Sequence, residues 1–165
     1  MKAHCDDLCP CGSGLRYKQC CQDEGNASCL NSPAELLSAR FSALRSGEFA
    51  RLYASYHPES PFLRQFSDCN DYIHFAEQQL DEINLVSWRA LDSRTLDGNR
   101  LEQLLVMEIE IAKGREFFYE LALLVKTCSG WRYHSAQKLS SEDYSGPPDK
   151  VDFHHFDQAA QKIRY

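Results

Sequence analysis

Four cysteines near the start of the chain, Cys9, Cys11, Cys20 and Cys21, have the type and spacing of a metal site. Zinc prefers four thiolate or imidazole ligands at tetrahedral corners, and closely spaced pairs deliver two ligands each from tight turns. Cys9-Pro10-Cys11 is one such pair and Cys20-Cys21 is the other. Between them, Gly12-Ser13-Gly14 can take positive φ angles, so the backbone can curl round a metal and aim its N–H groups at the sulfurs. Arg16 and Lys18 place positive charge beside a centre that would carry two negative charges. Three chemistries compete for such thiols: structural zinc, an iron–sulfur cluster, and redox or disulfide cysteines. One structural Zn2+ is the expectation. A closed four-thiolate site leaves no open coordination position, so it holds structure rather than performing hydrolysis.

The placement of the other thiols supports metal over disulfides. The eight cysteines fall at 5, 9, 11, 20, 21, 29, 69 and 128, most of them crowded before residue 30. A secreted disulfide scaffold would distribute its bridges through the fold. Met1 to Asp7 holds one lysine and no apolar run of the signal-peptide kind, and no stretch reaches the ~20 apolar residues of a membrane span. A reducing, cytoplasmic setting is therefore expected, without a membrane span. Cys5 and Cys29 lie outside the paired spacing and read as free thiols; Cys69 and Cys128 read as buried, inert ones.

Outside the cysteines, the residues able to move protons are His57, His74, His134, Asp92, Glu108, Glu110, Glu120 and the tyrosines. Glu108 and Glu110 alternate with Met107, Ile109 and Ile111, which puts both carboxylates on one strand face, either lining a cavity as an acid/base pair or facing water. His57 precedes a proline and is expected to cap a helix end or to contact a sheet. By alternation, His134 falls on the opposite face from Trp131 and Tyr133. No nucleophile, base and orienting group assemble from these. His154-His155 raises the idea of a second metal site, but no further ligand pair stands at a fitting distance, so solvent exposure is expected. Phe117, Phe118, Tyr119 and Trp131 are core material before they are stacking platforms.

The elements that must position these residues follow from periodicity. Ser32-Pro33-Ala34-Glu35 joins a capping box to a proline at the first helical position, Leu37, Phe41 and Leu44 follow at helical spacing, and Gly47 ends the helix. Phe49, Leu52, Tyr53 and Tyr56 form a second short face before His57-Pro58. A third helix starts around Ser67 to Asp71, with Tyr72, Ala76, Leu80 and Ile83 as its stripe and Ile73 and Phe75 beside it.

From Leu85 the period becomes two. Val86, Trp88 and Ala90 alternate with Ser87 and Arg89. Turns at Asp97-Gly98-Asn99, Lys113-Gly114-Arg115 and Ser129-Gly130 separate strands at Leu105–Ile111, Phe117–Val125 and Trp131–Leu139. Phe117–Val125 is apolar at most positions, as a strand covered on both faces would be. Three helices followed by four antiparallel strands describe an α+β domain. Residues 1–30 lack apolar periodicity and need metal to hold them, residues 31–145 form the α+β domain, and residues 146–165 form a tail in which Phe153, Phe156, Ala160 and Ile163 suit a short docked helix. The composition is that of a globular protein: 43% hydrophobic and 25% charged residues, with a net charge of −6 that draws the chain as a whole to neither phosphate backbones nor anionic lipid.

Cys-Pro-Cys-Gly-Ser-Gly at 9–14, Tyr17-Lys18 and Cys20-Cys21 together resemble the SEC-C motif, named for the C-terminus of the SecA translocase. The whole arrangement is similar to the YchJ-like family, in which an N-terminal SEC-C motif precedes an NTF2-like (cystatin-like) domain; Leu52 to Pro58 and Gly130-Trp131-Arg132-Tyr133 resemble that family's short landmarks, although Tyr56 stands where a small hydroxyl residue is expected. The resemblance implies a cone of helices on a curved sheet. It also implies a zinc knob that contacts a protein or ribonucleoprotein partner in a translocation, chaperone or ribosome-associated setting, and a domain that acts as scaffold or second surface, with a homodimer through the sheet as one use. An adaptor rather than an enzyme is expected. The alternative is an enzyme or small-molecule binder using His57, Glu108, Glu110 and His134 in the cone; RNA binding by the knob through Arg16 and Lys18 ranks third.

Overall fold

The structure is a computed structural model that describes residues 30–139 and 142–159. Cys5, Cys9, Cys11, Arg16, Lys18, Cys20, Cys21, Cys29, Ala160 and Ile163 therefore lie outside the described residues. The elements run α1 (Pro33–Ser46), α2 (Phe49–Ala54), α3 (Cys69–Gln79), β1 (Asn84–Asp97), β2 (Arg100–Ile111), β3 (Gly114–Thr127), β4 (Gly130–Leu139) and α4 (Phe153–Gln158). This is the α+β arrangement that the sequence and the family resemblance predict: helices first, then a four-stranded antiparallel meander in the order β1-β2-β3-β4.

Local chemistry sets the helix ends. The Glu35 N–H donates to Ser32 Oγ at 3.1 Å, Pro33 occupies the first turn, and Gly47 closes α1 with φ of 66°. Asp68 caps α3 by accepting from the N–H groups of Asn70 and Asp71 at 2.8 and 3.0 Å. That helix stops at Gln79, so Ile83 lies beyond the stripe expected of it, held by its N–H donating to Leu80 O at 3.0 Å.

Helix α1 meets both β1 and β4, the two edges of the sheet, which requires the sheet to curl around it. Register shifts between Leu85 and Ser87, Ala90 and Asp92, Thr95 and Asp97, and Leu123 and Leu124 supply the bend. The first of them displaces Val86 from the alternation expected of it; Leu85 and Trp88 are the residues that join the inner core. That core takes Leu36, Leu37 and Phe41 from α1 against Leu105, Ala122, Leu124, Tyr133 and Ala136, with Phe41 stacked on Trp88 at 4.4 Å between centroids. Burial of a leucine such as Leu36 or Leu37 contributes roughly 1.5–3 kcal/mol.

The outer face is covered by the end of the described chain. Val151 and Phe156 seat on Leu104, Val106, Tyr119, Leu121 and Leu139, and Gln137 Nε2 donates to Phe156 O at 2.9 Å. Arg94 pairs with Asp157 at 2.8 Å and with Glu102, and lies 4.7 Å from the centre of the Phe153 ring. The tail helix, expected only as a short docked element, is thus part of the same packed unit. Two residues of β3 depart from the expectation of cover on both faces: Phe117 is 46% exposed and Phe118 39%, because the β2–β3 hairpin projects past both the helices and the tail. Cys128, expected to be buried, sits exposed in the β3–β4 turn, while Cys69 is half-buried in the first turn of α3.

The free edge of β4 is closed by chain from the N-terminal side. Trp131 N–H donates to Leu30 O at 2.8 Å, Tyr133 N–H to Ser55 O at 3.0 Å, and His57 N–H to Tyr133 O at 2.8 Å. Leu30 passes so close to Gly130 that an added Cβ would stand 2.4 Å from its carbonyl oxygen, and Gly130 has φ of 103°. Gly130→Ala is expected to lower unfolding free energy by about 1–3 kcal/mol, from positive φ and steric conflict together. Gly114→Ala, also at positive φ but with nothing within 4 Å, should lose less; urea denaturation of the two variants beside the wild type checks the order.

Candidate functional site

The inner face of the sheet carries charge inside its apolar core, and the residues of the cluster come from five elements or their ends. Arg40 projects from α1 between Leu37 and Phe41 on the apolar stripe, so helical periodicity alone obliges it to point at the sheet. Its guanidinium carbon lies 3.8 Å from the centre of the Tyr133 ring and 4.3 Å from that of Tyr56. Nη1 donates to Ser55 Oγ at 2.6 Å. The two rings stand edge to face, 5.4 Å apart and inclined at 86°, so the guanidinium occupies the angle between them.

Glu120 supplies the opposite charge. It lies on β3 with a relative exposure of 9%, and Tyr133 Oη donates to its Oε1. Burial works against the Arg40 charge, but Tyr56, Tyr133 and Glu120 outweigh it, so the guanidinium holds its proton more tightly than usual. Burial, followed by the Glu120 carboxylate, pushes the Tyr133 phenol well above the ordinary range, so Tyr133 remains a hydrogen-bond donor. Tyr72, fully buried on α3, completes the cluster: its ring packs edge-on to Tyr56 at 6.0 Å, and its hydroxyl has no hydrogen-bond partner among the described residues.

Glu120 and the tyrosines were visible as candidates in the sequence. Arg40 was not, although a charge at a core position of a helical stripe is the signal that finds it.

The other candidates are dispersed. Glu108 and Glu110 do share a face, but it is the outer one, opposite the cone interior. Glu108 accepts from Arg115 at 3.3 Å and from Ser87 Oγ at 3.2 Å, and Glu110 from Asn84 at 2.7 Å. Register explains the placement: Glu108 faces Phe117 and Glu110 faces Arg115, in the same column of pairs as Leu104 with Leu121 and Val106 with Tyr119 beneath the tail. Asp92 and His74 are exposed. His154 is exposed as expected, but His155 is half-buried, because it closes a capping box with Asp152 and meets the Tyr144 ring at 4.6 Å.

His57 and His134 do come together, at the edge of β4 rather than inside the cone. Their rings are 5.5 Å apart; His57 Nδ1 accepts from Glu59 N–H at 3.1 Å, and His134 Nδ1 lies 3.0 Å from Ser135 Oγ. Burial lowers the pKa of both, aided at His57 by His134 and Arg132 and at His134 by Arg64, while Glu59 opposes the shift at each. Among the described residues no three His, Cys, Asp or Glu side chains are grouped to hold a metal ion, and no helix is long and apolar enough to cross a membrane.

Residues 7–23 match the SEC-C motif, so the chain carries that motif ahead of the α+β domain. In shape the chain is similar to a SEC-C motif containing protein from Rhodopseudomonas palustris, with 20% identity over 81% of this chain and 100% of that one and a TM-score of 0.53. A second SEC-C motif containing protein, from Psychrobacter arcticus, gives 16% identity, 78% and 81% coverage and a TM-score of 0.52. The fold is also similar to that of a putative calcium/calmodulin-dependent protein kinase type II association domain from Thiobacillus denitrificans, at 9% identity, 67% and 98% coverage and a TM-score of 0.51.

In sequence, the chain is 41% identical to a UPF0225 protein of Serratia proteamaculans (strain 568) over 54 residues. That match spans 32% of this chain and about a third, 35%, of the relative.

The paired histidines give a pH dependence. Both bind protons less readily in the folded chain than their ordinary value of 6.5 implies for the unfolded one. The unfolded state therefore takes up more protons as pH falls through that value, and stability that is complete above it declines towards the lowered folded pKa values. The urea midpoint is expected to drop between about pH 7.5 and about pH 5.5, and to drop less in the His57→Gln/His134→Gln double variant; equal drops would remove these rings as the cause.

Proposed function

We propose that this protein is a zinc-knob adaptor: the SEC-C segment, folded on one Zn2+, contacts a protein partner, and the α+β domain is the scaffold that carries it. The observation that carries the reading is the donor set. Cys9, Cys11, Cys20 and Cys21 supply four soft thiolates in two close pairs with glycines between them, inside the stretch that matches the motif. Such a set fits Zn2+, which needs no redox partner and accepts four sulfurs as a closed shell. When bound, the metal would supply a cross-link in place of a hydrophobic core in a segment with almost no apolar periodicity.

Two features of the domain support its role as carrier. Its cores are built from residues 36 to 156, so it has apolar packing of its own. The point where the described chain begins is fastened to it, by the Leu30 bridge to Gly130 and the Trp131 N–H bond to Leu30 O. The protein and ribonucleoprotein contacts in translocation, chaperone or ribosome-associated settings that the family resemblance implies are the settings in which to seek the partner.

The test compares wild type with Cys20→Ser. Wild type is expected to purify with about one equivalent of zinc. The variant should lose the metal, keep the far-ultraviolet circular dichroism of the sheet domain, and fail to recover the proteins that wild type captures. A folded variant that recovers the same partners, or a wild type that binds no zinc, would refute the adaptor.

A further inference from the structure

We propose that the outer edge of β1 pairs with the same edge of a second copy of this chain, antiparallel and centred on Ser93, giving a two-fold dimer in which the two sheets join edge to edge. The contact goes beyond the adaptor reading and needs nothing from the zinc knob.

A sheet edge is a row of backbone N–H and C=O groups that can accept another strand, and the two edges of this sheet differ. The edge of β4 is closed by Leu30, Ser55 and His57. Among the described residues, the edge of β1 is covered only at its start, where Arg45 donates from Nε to Leu85 O at 3.3 Å and from Nη2 to Val86 O at 2.9 Å. From Ser87 to Asp97, no backbone hydrogen bond among the described residues reaches β1 from outside its ladder with β2. Both faces of the sheet are covered along the centre, one by α1 and the other by the tail. The edge of β1 is thus where a second strand can join.

Charge decides which strand that is. Arg89, Asp92, Arg94 and Asp97 alternate in sign at spacings of three, two and three, an order that stays the same when the strand is reversed and every sign inverted. All four share the outer face, opposite Val106, Leu104, Glu102 and Arg100 of β2. When two copies of β1 lie antiparallel about Ser93, Arg89 falls opposite Asp97 of the second copy and Asp92 opposite Arg94, in both halves of the contact. Opposite charges facing each other across an antiparallel pair attract and like charges repel. No other antiparallel register of this strand on itself sets all four against opposite charges. The same register places Leu96, 46% exposed, against Ala90, which is also exposed. Ser93 lies in the regular stretch between the register shifts at Ala90/Asp92 and Thr95/Asp97, so the centre of the contact is free of bulges. Charges on an edge deter foreign strands; these also fit their own copy.

Sedimentation velocity of the full-length protein over a range of concentrations tests the dimer. One pair of short edges stays near or below the ~1,200 Å² at which standard interfaces begin, so a reversible, concentration-dependent monomer–dimer exchange is expected. Asp92→Arg sets like charges opposite each other in both halves and should weaken the dimer by about 10-fold or more at low salt, with a smaller effect at high salt. Asp92 is exposed and its side chain accepts only from the Ser93 N–H, so the variant is expected to fold. Glu77→Arg, the same charge change at an exposed position of α3, should leave the dimer unaltered. A second measurement reads the register. Directly opposed residues of antiparallel strands stand about 4.5–5.5 Å apart between Cα atoms, within disulfide reach, so Ser93→Cys oxidised with glutathione disulfide should give a bond between position 93 of two chains, identified by mass spectrometry of the digest. A monomer at every concentration, whatever then covers the edge, would overturn the proposal, as would a dimer that Asp92→Arg leaves unchanged or that forms no such bond.

Discussion

Arg40 reaches from α1 into the angle between the Tyr56 and Tyr133 rings, and the neighbouring elements are arranged around that reach. An unpaired cation moved out of water into an apolar interior would lose its proton or unfold the site. Here it is kept by two ring contacts of about 0.5–2 kcal/mol each, by the bond to Ser55 at the end of α2, and by Glu120 acting across Tyr133. One side chain of α1 therefore makes demands on the end of α2, on β3 and on β4 at once. The tyrosines belong to the core and serve the charge in the same positions, so changes in packing and in electrostatics are coupled at this point.

The sheet accommodates that charge because its two faces are unlike. The inner face wraps α1 and takes up Leu36, Leu37 and Phe41. The outer face is covered along its centre by the chain's own tail, through Phe156 and Val151, with Arg94 and Arg89 fastening acidic residues of the tail at the margins. The end of the β2–β3 hairpin escapes both covers, leaving Phe117, Phe118 and Ile111 in contact with water, as Leu96 is at the β1–β2 end. Glu108 and Glu110 stand on the outer side of this same projection and are engaged by Arg115, Ser87 and Asn84.

Two different forces divide the chain. The domain is held by apolar area buried over a long sequence range, while the sequence of the SEC-C segment shows thiols in close pairs and little apolar periodicity. At the junction, Leu30 runs against Gly130 where a side chain could not fit, and its own side chain packs against the inner core, which together fasten the start of the described chain to the β3–β4 hairpin.

The sequence by itself determined whatever depends on near neighbours. Helix starts at Ser32 and Asp68, the stop at Gly47, the three hairpin turns and the change of period at Leu85 are local events, and each was legible. So was the pairing of thiols that matches the SEC-C motif, because ligand spacing is itself local. The charge of Arg40 within an apolar helical stripe and of Glu120 within an apolar strand could also be seen, as exceptions to a pattern without an explanation. Tertiary structure alone decided the rest. Alternation places Glu108 and Glu110 on one face but cannot tell inside from outside; that depends on which face α1 takes and which the tail takes. The displacement of Val86, the exposure of Phe117 and the closeness of His57 to His134 depend on register shifts and on the lengths of covering elements. The corner formed by residues 40, 56, 72, 120 and 133 depends on both, since groups so far apart in the chain meet only after the sheet has curled around the helix.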